Sequence, residues 1–487
     1  MRVAIIHYHL RSGGVSRVIQ HAVSSLEGHD VQPVVLVGEK PTDGAVPHEK
    51  IKVIEGIDYS DHNDGLTAEI IAERLVKGAT EALGGAPDVW HFHNHSMGKN
   101  CALTEAVSVL ARQNHRILLQ LHDFPEDGRP HLFKDLRKYL GKGQIHSLGE
   151  LMYPQATHIH YATINSRDMN LLADLGVDRS ILHLIPNAAT LECGPSDEWN
   201  PSPEGGKLIL YPIRAIRRKN VGEFLLWSAF AGPDARFAVT LAPKSAADRI
   251  AYEHWIKFSA KEKLPVEFEV GMKDDTPFAE RLKSAWIAVT TSVAEGFGLT
   301  FVEPWLVNRP VVGRRIPEID HEFTDAGIDL SGLYEKLLVP LDWIDSEALR
   351  ARIQKVYRAM LSTYDRELQP HDVDRALAAA CEGDRIDFGR LDEKFQSEII
   401  LRLKHSPESR SEMQPDTFVP RGEMHNRIEQ NRKAVIEHYS LEKYGNRLMD
   451  IYKDVANSET GEVDQGLPVQ KILDAFLSPE RFFLLRT

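Results

Sequence analysis

The chain has 487 residues, 42% of them hydrophobic and 26% charged, with a formal net charge of −13. That length calls for two domains or more, and the acidic balance argues against non-specific nucleic-acid binding and against a general pull toward anionic membranes. The only three cysteines, Cys101, Cys193 and Cys381, lie far apart, a pattern of reduced thiols rather than of a disulfide framework.

The opening "MRVAIIHYHL" has too short an apolar run for a signal peptide and reads as a first strand. No apolar run approaches the length that crosses a bilayer, so a cytoplasmic enzyme or binding protein is the expectation. Strand candidates follow at 2–8, 31–38, 51–56, 88–94, 116–124, 157–164 and 181–187. Between them lie amphipathic segments such as "VSRVIQHAVSSL" (15–26), with Val15, Val18, Ile19, Ala22, Val23 and Leu26 on one face. Strands without alternation, separated by helices, indicate a parallel sheet covered on both faces. "GPSDEWNPSPEGGK" (194–207) breaks the pattern as a linker, and the alternation restarts at 207–216, 236–243, 266–271, 286–293, 309–315 and 336–340. The expected fold is α/β: two doubly wound Rossmann-like domains facing a cleft, with a helical insertion in the C-terminal half. The boundaries read as 1–200, 205–345, a helical insertion 346–425, and a C-terminal helix and tail 426–487 packing back toward the N-terminal domain.

"AEGFGLTFVEPW" (294–305) carries the most chemistry. Glu295 falls just past a strand's carboxyl end, Gly296 and Gly298 allow close backbone approach to a ligand, and a helix from about 299 to 307 opens with free N–H groups that attract anions. Carboxylates bind sugar hydroxyls and a helix start binds phosphate, so the stretch describes a nucleotide-sugar pocket. The competing local reading is a capping box, Thr300-x-x-Glu303, with Glu295 solvated. "YPIRAIRRKN" (211–220) adds Arg214, Arg217, Arg218 and Lys219 at the end of the second domain's first strand, suited to a diphosphate.

In the first domain, Gly13-Gly14 sit between a strand and its helix without the G-x-G-x-x-G spacing of a dinucleotide fingerprint. A tight turn explains them about as well as ligand approach does. His91, His93 and His95 alternate and so share one side of a strand end; without an acidic or cysteine partner they are weak ground for a metal site. His122 follows an apolar run at a strand's carboxyl end. Asp372-Val373-Asp374 and the Asp-Phe-Gly at 387–389 lack the context their motifs need. The basic stretch 129–144 reads as a solvated helix, with contact to anionic lipid as the less favoured alternative.

These motifs together resemble the GT-B glycosyltransferases of family 4, the retaining, nucleotide-sugar-dependent group. The carriers are Glu295 and Glu303, seven residues between them, around Glu295-Gly296-Phe297-Gly298; "RPVVGRRIPEI" and "LLVPLDWIDSEAL" in the family's order; and "RAIRRKN" as its R-x4-K element. The resemblance spans most of 1–350 and the helix near 426–453. It implies that Glu303 holds the donor's ribose and that Glu295 binds donor sugar hydroxyls, with N–H groups of Phe297 and Gly298. Arg214 and Lys219 would bind the diphosphate with N–H groups of Leu299 and Thr300, and His122 would stand beside the reacting sugar. Pro243 and Lys244 would border the base, and Gly13 and Gly14 would lie near phosphate or acceptor.

The implied activity is metal-independent, front-face transfer of a hexose from a nucleotide-diphosphate sugar to a hydroxyl acceptor, with UDP-glucose as the first donor to try and a small soluble acceptor. No cofactor, metal ion or nucleic acid is expected. Alternatives are another GT-B enzyme such as a nucleotide-sugar epimerase, or a non-catalytic nucleotide-sugar-binding protein. Departures from the family's pattern are Ile213 and Asn220 in place of glycine, Pro304 in place of alanine, and Arg314-Arg315 in place of small residues.

Overall fold

Apolar, β-branched runs without alternation need cover on both faces, and in the computed structural model they form two parallel sheets with helices between their strands. The structure describes the chain except residues 42–43, 45, 60–64, 142–147, 194–196, 205, 415–419, 421–422, 464 and 487. It divides into two compact units. The first comprises Met1–Ala188, Thr363–Asp365 and Tyr439–Leu477; the second comprises Ala189–Ser362, Arg366–His438 and Ser478–Thr487.

In the first unit seven parallel strands lie in the order Ile51–Val53, Gln32–Val37, Arg2–Ile6, Val89–His93, Ile117–Leu121, Ile159–Thr163, Leu182–Leu184. Chain order reverses between Arg2–Ile6 and Val89–His93, where Val3 is in register with Val89. The carboxyl ends of strands at such a reversal are where open α/β sheets bind ligands. One face is sealed by the helix Gly14–Ser25, which buries Val18, Ile19, Ala22 and Val23 in one cluster with Tyr444, Leu448, Ile451 and Tyr452 of the helix Leu441–Asn457. Each large apolar side chain so buried contributes roughly 1.5–3 kcal/mol. The two helices cross so closely that a Cβ on Gly445 would lie 2.5 Å from the Ser25 carbonyl oxygen, which only glycine avoids.

The second unit repeats the plan with five parallel strands in the order Val266–Glu267, Ala235–Leu241, Lys207–Arg214, Ile287–Thr290, Val311–Gly313. Its reversal falls between Lys207–Arg214 and Ile287–Thr290, with Leu210 opposite Ala288. Among the described residues no helix is long and apolar enough to cross a membrane.

Several expectations need correction. The run 336–340 does not extend the parallel sheet: Leu338–Pro340 pairs antiparallel with Arg385–Asp387, which pairs with Cys381–Glu382. Three apolar residues carry no signal for a partner's direction. The segment 346–425, expected to be helical, therefore holds two strands besides the helices Ser346–Thr363, Asp372–Ala380 and Glu393–His405. In the linker, residues 194–196 and 205 lie outside the described residues, and Trp199 belongs to a core, its indole Nε1 donating to the Trp286 carbonyl at 2.9 Å. The first unit accordingly ends at Ala188 rather than at 200. The C-terminal piece 426–487 is shared, with Tyr439–Leu477 in the first unit and its flanks in the second.

Candidate active site

At the reversal of the second sheet, the strand Lys207–Arg214 runs into a 3-10 turn, Arg217–Lys219, and then the buried helix Val221–Ser228. Asn220 joins turn and helix at φ 51°. Asparagine tolerates this left-handed conformation, which explains how it stands where the resembled family has glycine. The turn is braced from the neighbouring strand's exit and from within its own strand. Thr291 Oγ1 donates to the carbonyls of Lys219 and Asn220 at 3.1 and 3.0 Å, the Val293 N–H donates to the Arg218 carbonyl at 2.9 Å, and the Tyr211 hydroxyl donates to the Lys219 carbonyl at 2.8 Å.

This bracing brings Lys219 and Glu295 together. The Lys219 ammonium donates to Glu295 Oε1, with side chains 14% and 8% exposed. Burial pulls the Lys219 pKa down, with Arg218 adding to the fall and Glu295 opposing it. For Glu295 burial pushes upward, but Lys219 and Arg218 outweigh it and the carboxylate ends below its usual range. Arg218, between the two expected cations, is thus part of the site. Its buried Nε has no hydrogen-bond partner among the described residues. Two cations against one carboxylate leave a net positive charge in a poorly hydrated place, which favours an anion. Arg217, by contrast, is occupied: it meets Glu393 at 2.7 and 2.9 Å, and its N–H donates to Asp248. Arg214 donates to the Ala242 carbonyl at 2.8 Å, at the same carboxyl edge.

Beyond Glu295, Gly298 has φ 93°, and a Cβ there would meet the Phe301 ring at 2.7 Å. Leu299 and Thr300 open a 3-10 turn, Leu299–Phe301, whose first N–H groups have no intrahelical acceptor. The α-helix begins only at Glu303 and runs to Leu306, and its N-cap, Val302, makes no side-chain cap. The capping box is therefore not formed, and the single helix expected from about 299 to 307 is divided. Glu303 is buried at 5% exposure. The Phe297 ring packs edge-on against Phe323, centroids 5.3 Å apart, so a ligand meets its backbone rather than its ring. Pro243 and exposed Lys244 follow the strand Ala235–Leu241, and the Pro243 carbonyl accepts from Arg249 at 3.2 Å.

Sequence departures also find structural roles. Arg314 is 3% exposed and forks onto Glu223 (2.6 and 3.0 Å) and Asp387 (2.7 and 3.0 Å). The Asp-Phe-Gly at 387–389 is thus one arm of a buried ion cluster, and Asp374 pairs with Arg350 on the surface.

In the first unit, His122 is buried just past the strand Ile117–Leu121, its N–H donating to Asn94 Oδ1 at 2.8 Å. Its Nε2 lies 2.9 Å from Nδ1 of His93, the partner that sequence reasoning missed. Burial holds the His122 pKa down to about 4, despite Asp123, and lowers His93 well below its usual value. Both rings are therefore neutral near pH 7. Buried His93 Nε2 has no partner among the described residues. An unpaired lone pair there costs less than an unpaired N–H, so the His93 proton belongs on Nδ1, donated to His122. His122 then carries its own proton on Nδ1 and presents a donor.

Of the three alternating histidines, His91 and His93 share one side, their ring centroids 4.2 Å apart, and His95 does not join them. His91 turns to Tyr452 (2.8 Å) and Gln120 (3.0 Å), whereas His95 follows Asn94 at φ 53° and turns to the Met152 carbonyl. Among the described residues no group of three or more His, Cys, Asp or Glu is arranged to hold a metal ion. Gly13 precedes the helix Gly14–Ser25 in extended backbone. A Cβ on Gly13 would meet only the Arg11 carbonyl oxygen at 3.7 Å, and one on Gly14 would meet nothing within 4 Å.

No family model matches the chain. Among solved structures it is similar to Anabaena HepE in complex with UDP and glucose (TM-score 0.52, 11% identity, 93% of this chain and 99% of that one). It is likewise similar to sucrose-phosphate synthase from Thermosynechococcus elongatus (TM-score 0.53, 14% identity, 93% and 98%). The fold is that of the GT-B glycosyltransferases. Over 520 aligned residues the chain is 26% identical to the mannosylglucosyl-3-phosphoglycerate synthase of Petrotoga mobilis, spanning 99% of this chain and 98% of that protein. The comparisons support glycosyltransferase activity.

Proposed function

We propose that the protein is a retaining glycosyltransferase of the family-4 type that moves a hexosyl group from a nucleoside-diphosphate hexose to a hydroxyl of a small acceptor. The observation that carries this reading is the buried Lys219–Glu295 pair with the unpartnered Nε of Arg218 beside it, at the reversal of the second sheet. As the anomeric bond breaks, negative charge grows on the departing diphosphate and positive charge on the sugar ring. Lys219, Arg218 and Arg214 stabilise the first, with the N–H groups of Leu299 and Thr300; losing one such donor costs roughly 100- to 1,000-fold in rate. These fixed charges do what a metal ion does elsewhere, so the proposed transfer needs none.

Glu295 holds sugar hydroxyls with the N–H groups of Phe297 and Gly298, Glu303 holds the ribose, and Pro243 and Lys244 border the base. His122 donates to a sugar hydroxyl, and the open space at Gly13 and Gly14 admits phosphate or acceptor. In front-face transfer the acceptor oxygen bonds to the anomeric carbon on the side the diphosphate leaves, and its proton passes to a leaving phosphate oxygen.

The name of the Petrotoga mobilis relative suggests mannose beside glucose as the donor sugar, and a phosphoglycerate-containing acceptor. The test is nucleoside diphosphate release from UDP-, GDP- and ADP-hexoses, with glucosyl-3-phosphoglycerate and 3-phosphoglycerate as acceptors, beside Glu295→Ala. Acceptor-dependent release from one donor, lost in the variant, is expected. Donor conversion without release would replace transfer by epimerisation, and tight binding without turnover would make the protein a binder.

A further inference from the structure

The first unit carries a cluster of charge that the donor site leaves unused. Tyr59 is 43% exposed, a large aromatic ring at the surface. Lys99 Nζ stands over it at 5.0 Å, Arg11 Cζ at 5.9 Å, and the His9 ring meets it edge-on with centroids 4.6 Å apart. Carboxylates balance only part of this charge: Glu39 takes Arg11 in a fork at 2.5 and 2.6 Å, and Asp123 takes Arg129 at 2.5 Å. Lys99 has no carboxylate partner among the described residues. Burial lowers its pKa first, and the Arg129 charge lowers it further. His9 is lowered by burial, then by Arg11 and Lys99, against Glu39; His131 is lowered by burial, then by Lys99 and Arg129, against Asp135. Lys99 thus bears the charge of Arg129, and His9 and His131 that of the cations around them, while Glu39 and Asp123 keep Arg11 and Arg129 charged. An anion placed among them would relieve all of them at once. Gly13 and Gly14 follow Arg11 by two and three residues, and a Cβ on Gly14 would meet nothing within 4 Å.

We propose that Lys99, Arg11 and His9, grouped around the Tyr59 ring, seat the phosphate of a phosphorylated acceptor, with the ring packing against the acceptor's carbohydrate face. The inference rests on the transferase reading and names its acceptor class. Tyr59 supplies the flat apolar surface that a sugar's C–H face covers, Lys99 supplies the uncompensated charge, and Arg11 the remaining donors of its guanidinium.

The test is calorimetric titration of the intact protein with 3-phosphoglycerate, glycerate, inorganic phosphate and UDP, for the natural sequence and for Lys99→Met, Lys99→Arg and Tyr59→Ala. Lys99 is half-buried, so methionine retains its packing. A charge-assisted contact is worth roughly 1.5–3 kcal/mol, or about 10- to 150-fold in Kd. Lys99→Met is therefore expected to weaken 3-phosphoglycerate by at least about tenfold, with Lys99→Arg restoring most of it and UDP unchanged. Tyr59→Ala is expected to raise the KM of a glycosylated acceptor while sparing inorganic phosphate. Equal affinity for 3-phosphoglycerate in Lys99→Met, or no preference for it over glycerate, would overturn the inference. Lys99-dependent binding with no donor turned over would leave this site standing and remove the transferase reading. Transfer whose acceptor KM ignores Lys99 would do the opposite.

Discussion

Replacing Arg314 with methionine removes the guanidinium that forks between two carboxylates that water barely reaches. Glu223 is 0% exposed and Asp387 3%. In the natural protein their charges are met by four guanidinium contacts between 2.6 and 3.0 Å, and Glu223 also accepts from Tyr334 and Asn220. Breaking a buried ion pair from one side costs roughly 3–5 kcal/mol, and here the two carboxylates left behind also repel each other. At about 2–4 °C per kcal/mol for a unit of this size, the second unit is expected to melt roughly 6–20 °C lower. The deficit must also depend on pH. Burial, outweighing the attraction of Arg314, already raises the Glu223 pKa, and removing Arg314 raises it further. A carboxyl whose folded pKa lies above its unfolded value destabilises the fold at high pH and ceases to do so as pH falls through the folded pKa. Urea unfolding of Arg314→Met beside the natural protein at pH 8 and pH 5.5 reads both effects. A deficit below about 1 kcal/mol, or one unchanged between the two pH values, would refute the reasoning.

Lys219→Ala and Glu295→Gln should each lower kcat by roughly 100- to 1,000-fold with the fold intact by circular dichroism; a change under threefold would remove both from the chemistry. Gly298→Ala forces a side chain to φ 93° against the Phe301 ring and should cost roughly 1–3 kcal/mol and weaken donor binding, measured by thermal unfolding and UDP titration. Burial lowers the pKa of His7 and His91 to about 3 and of His95 and His122 to about 4. Unfolding lets each take up a proton below about pH 6.5, so the first unit should lose up to about 1.4 kcal/mol per histidine per pH unit on acidification from there. Nitrogen-15 shifts of the imidazoles should show His122 neutral at pH 7 with its proton on Nδ1; a proton on Nε2 would refute the assigned donation from His93.

Both parallel sheets were legible because their strands are continuous apolar runs between amphipathic helices, a pattern set within ten residues at a time. Contacts set at long range were not. Arg217, Arg218 and Lys219 are consecutive, and nothing local says which is neutralised; the answer lies in Glu393, 176 residues away, and in Glu295, 76 away. His93 shares a strand with His91, but its partner His122 is brought by the adjacent strand, 29 residues on. The Thr300 capping box failed because Gly298 opens a 3-10 turn first, which delays the helix to Glu303. Lys99 follows a short helical turn of no marked pattern, and only the fold brings it over Tyr59.

The central claim is tested most directly by following the anomeric protons. The protein would be incubated with each α-linked nucleoside-diphosphate hexose and glucosyl-3-phosphoglycerate, with a chelator present, and the product read by NMR. A new α-glycosidic linkage, formed by the natural protein and absent with Lys219→Ala, is the expected result. A β-linked product, transfer only when metal is restored, or equal transfer by Lys219→Ala would contradict it.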